Sequence, residues 1–302
     1  MPADQNHPRV LTETARAKIN LTLRIEGRRR DGYHELSSLV VFASSAADRL
    51  TLEPAAPTGI TVTGPFAGAI SGDNLLQRVL DIAAPCLEGL PPGHVTLEKH
   101  LPVAAGVGGG SADAAALLRA LRRAFPAQTA NTDWHASALA LGADVPVCLV
   151  SRSVWMTGIG DAVHPLDGLA PLPMVLVNPR VPVPADKTAQ VFRALGAAPL
   201  PRPWTTPLPP CLPTGTRALC AWLCGHPNDL TTAASRVMPV ITDVLAAITE
   251  TDGCLLSRLS GAGPTSFGIY ESWAAAQAAA ADLRRQHAGW WVHADASASE
   301  SG

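Results

Sequence analysis

Charge is scarce in this 302-residue sequence: charged side chains make up 16% and the net charge is −2. A chain so nearly neutral exerts no global pull on nucleic acid or on an anionic membrane, so phosphate binding has to be local. Also missing is any apolar run of the roughly 18 residues that a membrane span needs. The N-terminal segment lacks the apolar stretch of a secretory signal. These absences predict a soluble, cytoplasmic protein without nucleic-acid or membrane partners. Six cysteines are present, and of these only Cys220 and Cys224 stand close together. With His226 they form C-x3-C-x-H, but no second ligand pair follows at zinc-site spacing. No metal centre is expected, and the thiols read as reduced, partly buried side chains. No internal repeat is evident.

What is present is apolar: 47% of the residues, enough for sizeable cores in about two domains. Residues 1–14 read as a loose polar leader. Alternating stretches between residues 15 and 54, and again at 59–63 and 94–98, predict strands. Residues 73–87 have helical spacing, with Asp73 or Asn74 as N-cap. The clearest helix covers 111–124, with Asp113 in its first turn and arginines in its last to suit the macrodipole. Another covers 132–141 and stops at Gly142. A strand at 174–177 opens the second domain. Residues 199–213 carry seven prolines in fifteen positions and read as a surface insertion. Helices follow at 216–224 and 230–249, then a strand pair within 255–270 and a helix at 273–287. This irregular mixture predicts an α+β fold, divided into residues 1–168 and 169–302.

The chemistry concentrates in four places. Pro102, Val103, Ala104, Ala105, Gly106, Val107, Gly108, Gly109, Gly110, Ser111 and Ala112 lead straight into the clearest helix. Glycines let backbone N–H groups approach an anion, and the helix start adds unpaired N–H groups and a positive dipole end. Ser111 offers a hydroxyl for a phosphate oxygen or magnesium. Such a segment is either a phosphate cradle or a flexible loop. It is not a Walker A loop, because no Gly-Lys-Ser/Thr follows. A Rossmann turn fits poorly, since the preceding strand is partly polar and no acidic residue stands about 20 positions on.

Lys18 and Asn20 share one face of a strand, Ile19 and Leu21 the other. Lys18 is an ordinary strand lysine or a cation held in place. Asp144, between a helix end and Pro146, caps that end or serves as a base for a hydroxyl that must lose its proton. The tight glycine turn at 259–265 closes a hairpin or faces a nucleotide. Tyr33 alone reads as a buried aromatic; beside His34, in a turn with three arginines, it reads as recognition.

Taken together and in this order, AKINLTL (17–23), RRRDGYHEL (28–36), PVAAGVGGGSADAAALL (102–118), LGADVP (141–146), ADKTAQVFRAL (185–195), NDL (228–230) and SRLSGAGPTSFG (257–268) resemble the GHMP kinases. The resemblance implies a two-domain α+β fold with the active site in the interdomain cleft. ATP would be the co-substrate, with Mg2+. Asp144 would be the general base and Lys18 its charged partner, with residues 102–112 wrapping the ATP phosphates. DGYHEL and GADVP narrow the resemblance to members whose small-molecule substrate is a cytidyl-diphospho-methylerythritol, which implies phosphorylation of its 2-hydroxyl. Tyr33 and Phe192 would sandwich the cytosine, His34 would read its edge, and Asn20 and Thr188 would line the substrate. Another GHMP small-molecule kinase, or a nucleotide-binding regulator without catalysis, would share the phosphate loop. The chain is expected to be a monomer or weak homodimer.

Overall fold

Residues 15–21 alternate apolar with polar side chains, yet in the computed structural model Lys18, Ile19, Asn20 and Leu21 are all buried. The strand is thus covered on both faces. The structure describes residues 9–54, 56–69, 75–201 and 203–298. Chain order begins β1 (Leu11–Asn20), β2 (Arg24–Arg28), β3 (His34–Glu53), β4 (Gly59–Thr63), α1 (Leu75–Ala83), β5 (His94–Glu98), α2 (Gly109–Ala124) and α3 (Trp134–Leu141). It continues α4 (Val145–Val150), β6 (Val154–Gly158), β7 (Ala162–Pro165), β8 (Pro173–Asn178), α5 (Lys187–Leu195) and α6 (Thr216–Cys224). Last come α7 (Thr231–Val237), α8 (Val240–Thr249), β9 (Cys254–Leu259), β10 (Ser266–Tyr270), α9 (Trp273–Gln286) and β11 (Trp291–Ala296).

Two compact units emerge, and each takes several stretches of the chain. The first takes the chain up to Ala17, then Ala47–Val103 and Gly108–Leu149; the second takes Lys18–Ala46, Ala104–Val107 and Val150 onward. β3 is long enough to serve both.

In the first unit, β4 runs parallel to β5, and β5 runs antiparallel to the end of β3, with Arg49 opposite Glu98. α2 packs against α1 and α3. Its run of alanines is the reason it can be buried nearly all round: Ala114, Ala115, Ala116 and Ala120 are fully inaccessible, and small side chains let neighbours approach closely. Farther along α2, Arg119 and Arg123 both grip Glu13 on β1, at 2.9 and 2.6 Å. The expected polar leader is instead strand from Leu11, paired with β3 and held to α2 by this grip.

In the second unit, β11, β8, β10 and β9 form an antiparallel sheet in that order. α8 and α9 cover it through Val175, Val177, Val244, Ile248, Tyr270, Ala280 and Leu283. Buried Tyr270 keeps its hydroxyl bonded to Thr251 Oγ1 at 2.7 Å. Elsewhere in this unit the first half of β3 pairs with β2 and β6, and β6 with β7.

Several expectations are corrected. Residues 230–249 form two helices, not one, because Pro239 cannot continue α7. Residues 73–87 give α1 and then a 3-10 turn that starts where Pro85 interrupts the ladder; the expected caps Asp73 and Asn74 lie outside the described residues. Asp113 is not in the first turn of α2. Asp144 is followed not by a turn but directly by α4, with Pro146 in its first turn. Residues 203–213 carry neither helix nor strand.

The chain's last strand is clasped by one carboxylate. Asp295 accepts the amides of Ser44 (3.1 Å), Ser45 (3.0 Å) and Ala46 (2.6 Å). Asp295→Ala strands these donors and is expected to lower stability by about 2–4 kcal/mol, read as a lowered urea midpoint, with Asp295→Asn losing less.

Candidate active site

The glycine-rich loop is shaped by what lies behind it. Within the second unit three successive carbonyls are tied back: Ala105 O accepts Thr265 N (2.9 Å), Gly106 O accepts Ser260 Oγ (3.3 Å) and Val107 O accepts Lys18 N (2.8 Å). In a trans peptide the N–H points opposite to the carbonyl it adjoins. The amides of Gly106, Val107 and Gly108 therefore face away from this backing. A backbone concavity with N–H groups turned outward is a seat for an anion.

The two glycine motifs meet backbone to backbone. A Cβ on Gly106 (φ +80°) would lie 2.5 Å from the Gly263 carbonyl oxygen. The second motif is itself pinned. Asn228 Nδ2 donates to Leu259 O (2.9 Å) and Gly261 O (2.8 Å), Asn178 Nδ2 to Thr265 Oγ1 (2.9 Å), and buried Lys187 Nζ to Gly263 O. The turn at 259–265 is thus the backing of the loop. Sequence reasoning quoted NDL and ADK yet gave Asn228 and Lys187 no role. Polar residues beside apolar runs were the signal, but their partners lie 31 to 76 residues away.

In the first unit, α2 begins at Gly109 after Gly108 in the left-handed region (φ +66°), and no side chain caps it. The N–H groups of Gly108, Gly109, Gly110 and Ser111 lack partners inside the helix by construction; Ala112 N is the first to find one, Gly108 O at 2.8 Å. They carry the positive end of the helix dipole, the ready site for phosphate. Pro102 is buried and Val103 exposed. Ala104 adopts φ +55°, a conformation suited to glycine that costs alanine about 1 kcal/mol.

Lys18 and Asn20 both belong to the second unit and are buried, at 4% and 2% exposure. Asn20 N takes Ser260 Oγ (3.3 Å) and Asn20 Nδ2 donates to Ser38 Oγ (2.8 Å), while Asn20 Oδ1 is buried without a hydrogen-bond partner among the described residues. Such an oxygen suits a ligand hydroxyl. Asp144 belongs to the first unit, half-buried at the start of α4, where its carbonyl accepts Cys148 N at 3.4 Å.

The aromatic pair also forms in the second unit. The chain after α5 lies along β2: Arg28 N donates to Ala198 O (2.8 Å) and Leu200 N to Arg28 O (2.9 Å). That pairing brings α5 to the hairpin, and the His34 and Phe192 rings stack at 4.6 Å. Burial, then Arg28, lowers the His34 pKa, so its imidazole is neutral and can both donate and accept. Thr188, exposed one turn before Phe192, shares its face of α5. Tyr33 is 58% exposed, not the buried aromatic expected of it alone. Arg29 pairs with Asp31 (3.2 Å) and Glu35 (3.5 Å), which offsets part of the basic turn.

Among the described residues no group of three His, Cys, Asp or Glu side chains could hold a metal ion, and none of the helices is long and apolar enough to cross a membrane. His226 stacks on Trp222 at 3.8 Å, its Nδ1 2.7 Å from Trp222 O. All six cysteines are free thiols.

Similarity to known proteins identifies the family. Residues 74–152 match the GHMP kinases N terminal domain and residues 217–289 the GHMP kinases C terminal domain. The 4-diphosphocytidyl-2-C-methyl-D-erythritol kinase of Bradyrhizobium diazoefficiens is 47% identical over 94% of this chain and 97% of its own. That of Methylobacterium radiotolerans is 49% identical, again over 94% and 97%. The chain belongs to the 4-diphosphocytidyl-2-C-methyl-D-erythritol kinase family of GHMP kinases. A crystal structure of 4-(cytidine 5'-diphospho)-2C-methyl-D-erythritol kinase superposes with a TM-score of 0.73 at 35% identity, covering 95% of this chain and 100% of that one. Homoserine kinase from Cytophaga hutchinsonii shares the fold, with a TM-score of 0.61 at 16% identity over 98% of this chain and 96% of that one.

For a kinase of this family, Gly106→Ala tests the glycine-to-glycine approach. The added methyl forces loop or turn to shift, and the Michaelis constant for ATP is expected to rise about tenfold or more. Gly68→Ala, where a Cβ meets nothing within 4 Å, leaves it unchanged in the same assay.

Proposed function

We propose that this chain transfers the γ-phosphate of ATP to the 2-hydroxyl of 4-diphosphocytidyl-2-C-methyl-D-erythritol, giving the 2-phosphate, in non-mevalonate isoprenoid biosynthesis. One observation carries the proposal: near-half identity, spread over almost the whole chain, to relatives of that name. The likeness to homoserine kinase, at 16%, concerns the fold alone.

Phosphoryl transfer needs little covalent help; positioning and charge stabilisation do most of the work. The outward amides of the loop and the first turn of α2 hold the nucleotide phosphates. Asp144 is proposed as the base that takes the proton of the 2-hydroxyl. The hydroxyl oxygen then forms its bond to the γ-phosphorus as the bond to the bridging β-γ oxygen breaks, and ADP leaves. Lys18 is proposed to stabilise the developing alkoxide. Magnesium, when bound, would supply neutralisation of phosphate charge; among the described residues no group of three His, Cys, Asp or Glu side chains is placed to hold it.

For the cytidine we propose Phe192 and Tyr33 as stacking faces and His34 as the polar reader of the base edge, with Asn20 and Thr188 on the polyol side. Stacking an aromatic on a base is worth about 1–3 kcal/mol. Phe192→Ala is therefore expected to raise the Michaelis constant for the cytidyl substrate roughly tenfold or more, leaving that for ATP nearly unchanged. Exposed Tyr33 suits this role, since a recognition face has to be reachable before the ligand arrives.

The deciding measurement is ADP release coupled to nucleotide oxidation, run with the cytidyl-diphospho substrate and, as controls, mevalonate and homoserine. Turnover confined to the first is expected; comparable turnover with a control overturns the substrate assignment. Asp144→Asn is expected to cut turnover about 10²- to 10⁴-fold with ATP affinity kept. Near-normal turnover of that variant removes Asp144 from the mechanism.

A further inference from the structure

Under the first turn of α2, the first unit buries one ammonium between two carboxylates. Lys99 Nζ lies 2.5 Å from Asp48 Oδ2 and 2.6 Å from Asp113 Oδ2, and none of the three residues is more than 4% exposed. A Cβ placed on Gly109, the first residue of α2, would be 3.3 Å from Lys99 Nζ and 3.9 Å from Asp48 Oδ2. The cluster therefore touches the turn whose amides receive phosphate.

The two carboxylates are not equivalent. Asp48 Oδ1 accepts the amides of His100 (2.5 Å) and Leu101 (2.8 Å), so both its oxygens are engaged. Asp113 Oδ1 is buried with no hydrogen-bond partner among the described residues. One ammonium compensates one anion well and a second poorly. Burial pushes the Asp113 carboxyl up to about 7; Lys99 draws it down and Asp48 adds to the rise. On Lys99 burial acts downward, but the two carboxylates outweigh it and hold the ammonium charged. Charged groups on the packed helices turn to other partners or to solvent. Arg78 of α1 donates to Ala140 O, Asp81 of α1 accepts from Gln77, and His135 of α3 is exposed.

We propose that Asp113 is a positioning residue of the nucleotide site, a buried carboxyl whose ionisation sets a second negative charge beneath the phosphate-binding turn and weakens ATP binding. With Asp113 protonated, Lys99 and Asp48 cancel; with it ionised, the cluster carries −1 under a site that must take a polyanion. ATP binding then draws a proton onto Asp113, and affinity falls as pH rises through the carboxyl's range. This inference rests on the first turn of α2 binding ATP phosphates.

The test is ATP affinity by calorimetry, with kcat and KM for ATP beside it, from about pH 6 to about pH 8.5 on the full chain and on Asp113→Asn. Titration of the nucleotide itself is common to both proteins and drops out of their ratio. The two are expected to bind alike at the acid end. At the alkaline end the variant binds about three- to tenfold more tightly, the scale of one charge near a helix terminus. Asp113→Ser repeats the comparison with the carboxyl removed altogether. A pH-independent ratio overturns the proposal. So does failure of both neutral variants to fold, because the carboxylate would then be scaffold rather than charge. Absence of ATP binding by the parent at every pH would overturn the phosphate assignment instead.

Discussion

No side chain fits between the α-carbon of Gly106 and the carbonyl of Gly263, and the phosphate loop takes its form from that exclusion. Because the two backbones can touch, Ala105, Gly106 and Val107 each find a donor for their carbonyls on the second unit's own elements. Because the carbonyls are held, the adjoining amides have only the other direction open. A phosphate-binding loop is often described by the flexibility of its glycines; here its glycines permit contact, and the contact removes the flexibility. Preorganised donors are worth more than mobile ones, since no ordering has to occur when the anion arrives.

The same logic accounts for where cations sit in a chain of net charge −2. Buried Arg258 donates to the carbonyls of Leu21 (2.6 Å), His226 (3.0 Å) and Leu223 (2.8 Å). Lys187 reaches Gly263 O, and Lys99 lies between two aspartates. Each holds backbone or buried carboxylate instead of forming a basic surface. Local cation placement thus coexists with a near-neutral exterior, which is why net charge spoke only against nucleic acid and membranes and not against phosphate.

Much of this was legible beforehand. Local period and punctuation located β4, β5, α2, α6 and α9 closely, since each carries its own signal in consecutive residues. Of the expected leader, residues 1–8 lie outside the described residues, whereas Leu11 to Thr14 are strand, because β1 pairs with β3 and Glu13 meets two arginines of α2 more than a hundred positions on. Pro239 stood in plain view within 230–249 and should have split that helix. Asp113 was assigned to a helix dipole by position alone; only the fold reveals Lys99 beside it. In the candidate site the loop, Lys18, Asn20, His34 and Phe192 were all named from sequence, and the structure stacks the last two. Asn228 and Lys187 were out of reach because their role is to secure other residues.

The glycine run itself shows that one motif letter stands for different physical demands. At Gly106 the demand is space, since any Cβ strikes backbone that cannot yield. At Gly108 it is conformation, because the residue entering α2 is left-handed. At Gly109 a Cβ would press on the flexible end of Lys99, and at Gly110 it would meet only Leu75 Cδ1 at 3.6 Å, an ordinary contact. Ala104 completes the contrast: it holds φ +55° without being glycine, and its neighbour's bond to Thr265 N helps to keep it there. A strained alanine survives where the surrounding bonds over-determine the backbone, whereas a methyl on Gly106 would break those bonds. Tolerance in this loop therefore follows what lies behind each residue, not whether the residue is glycine.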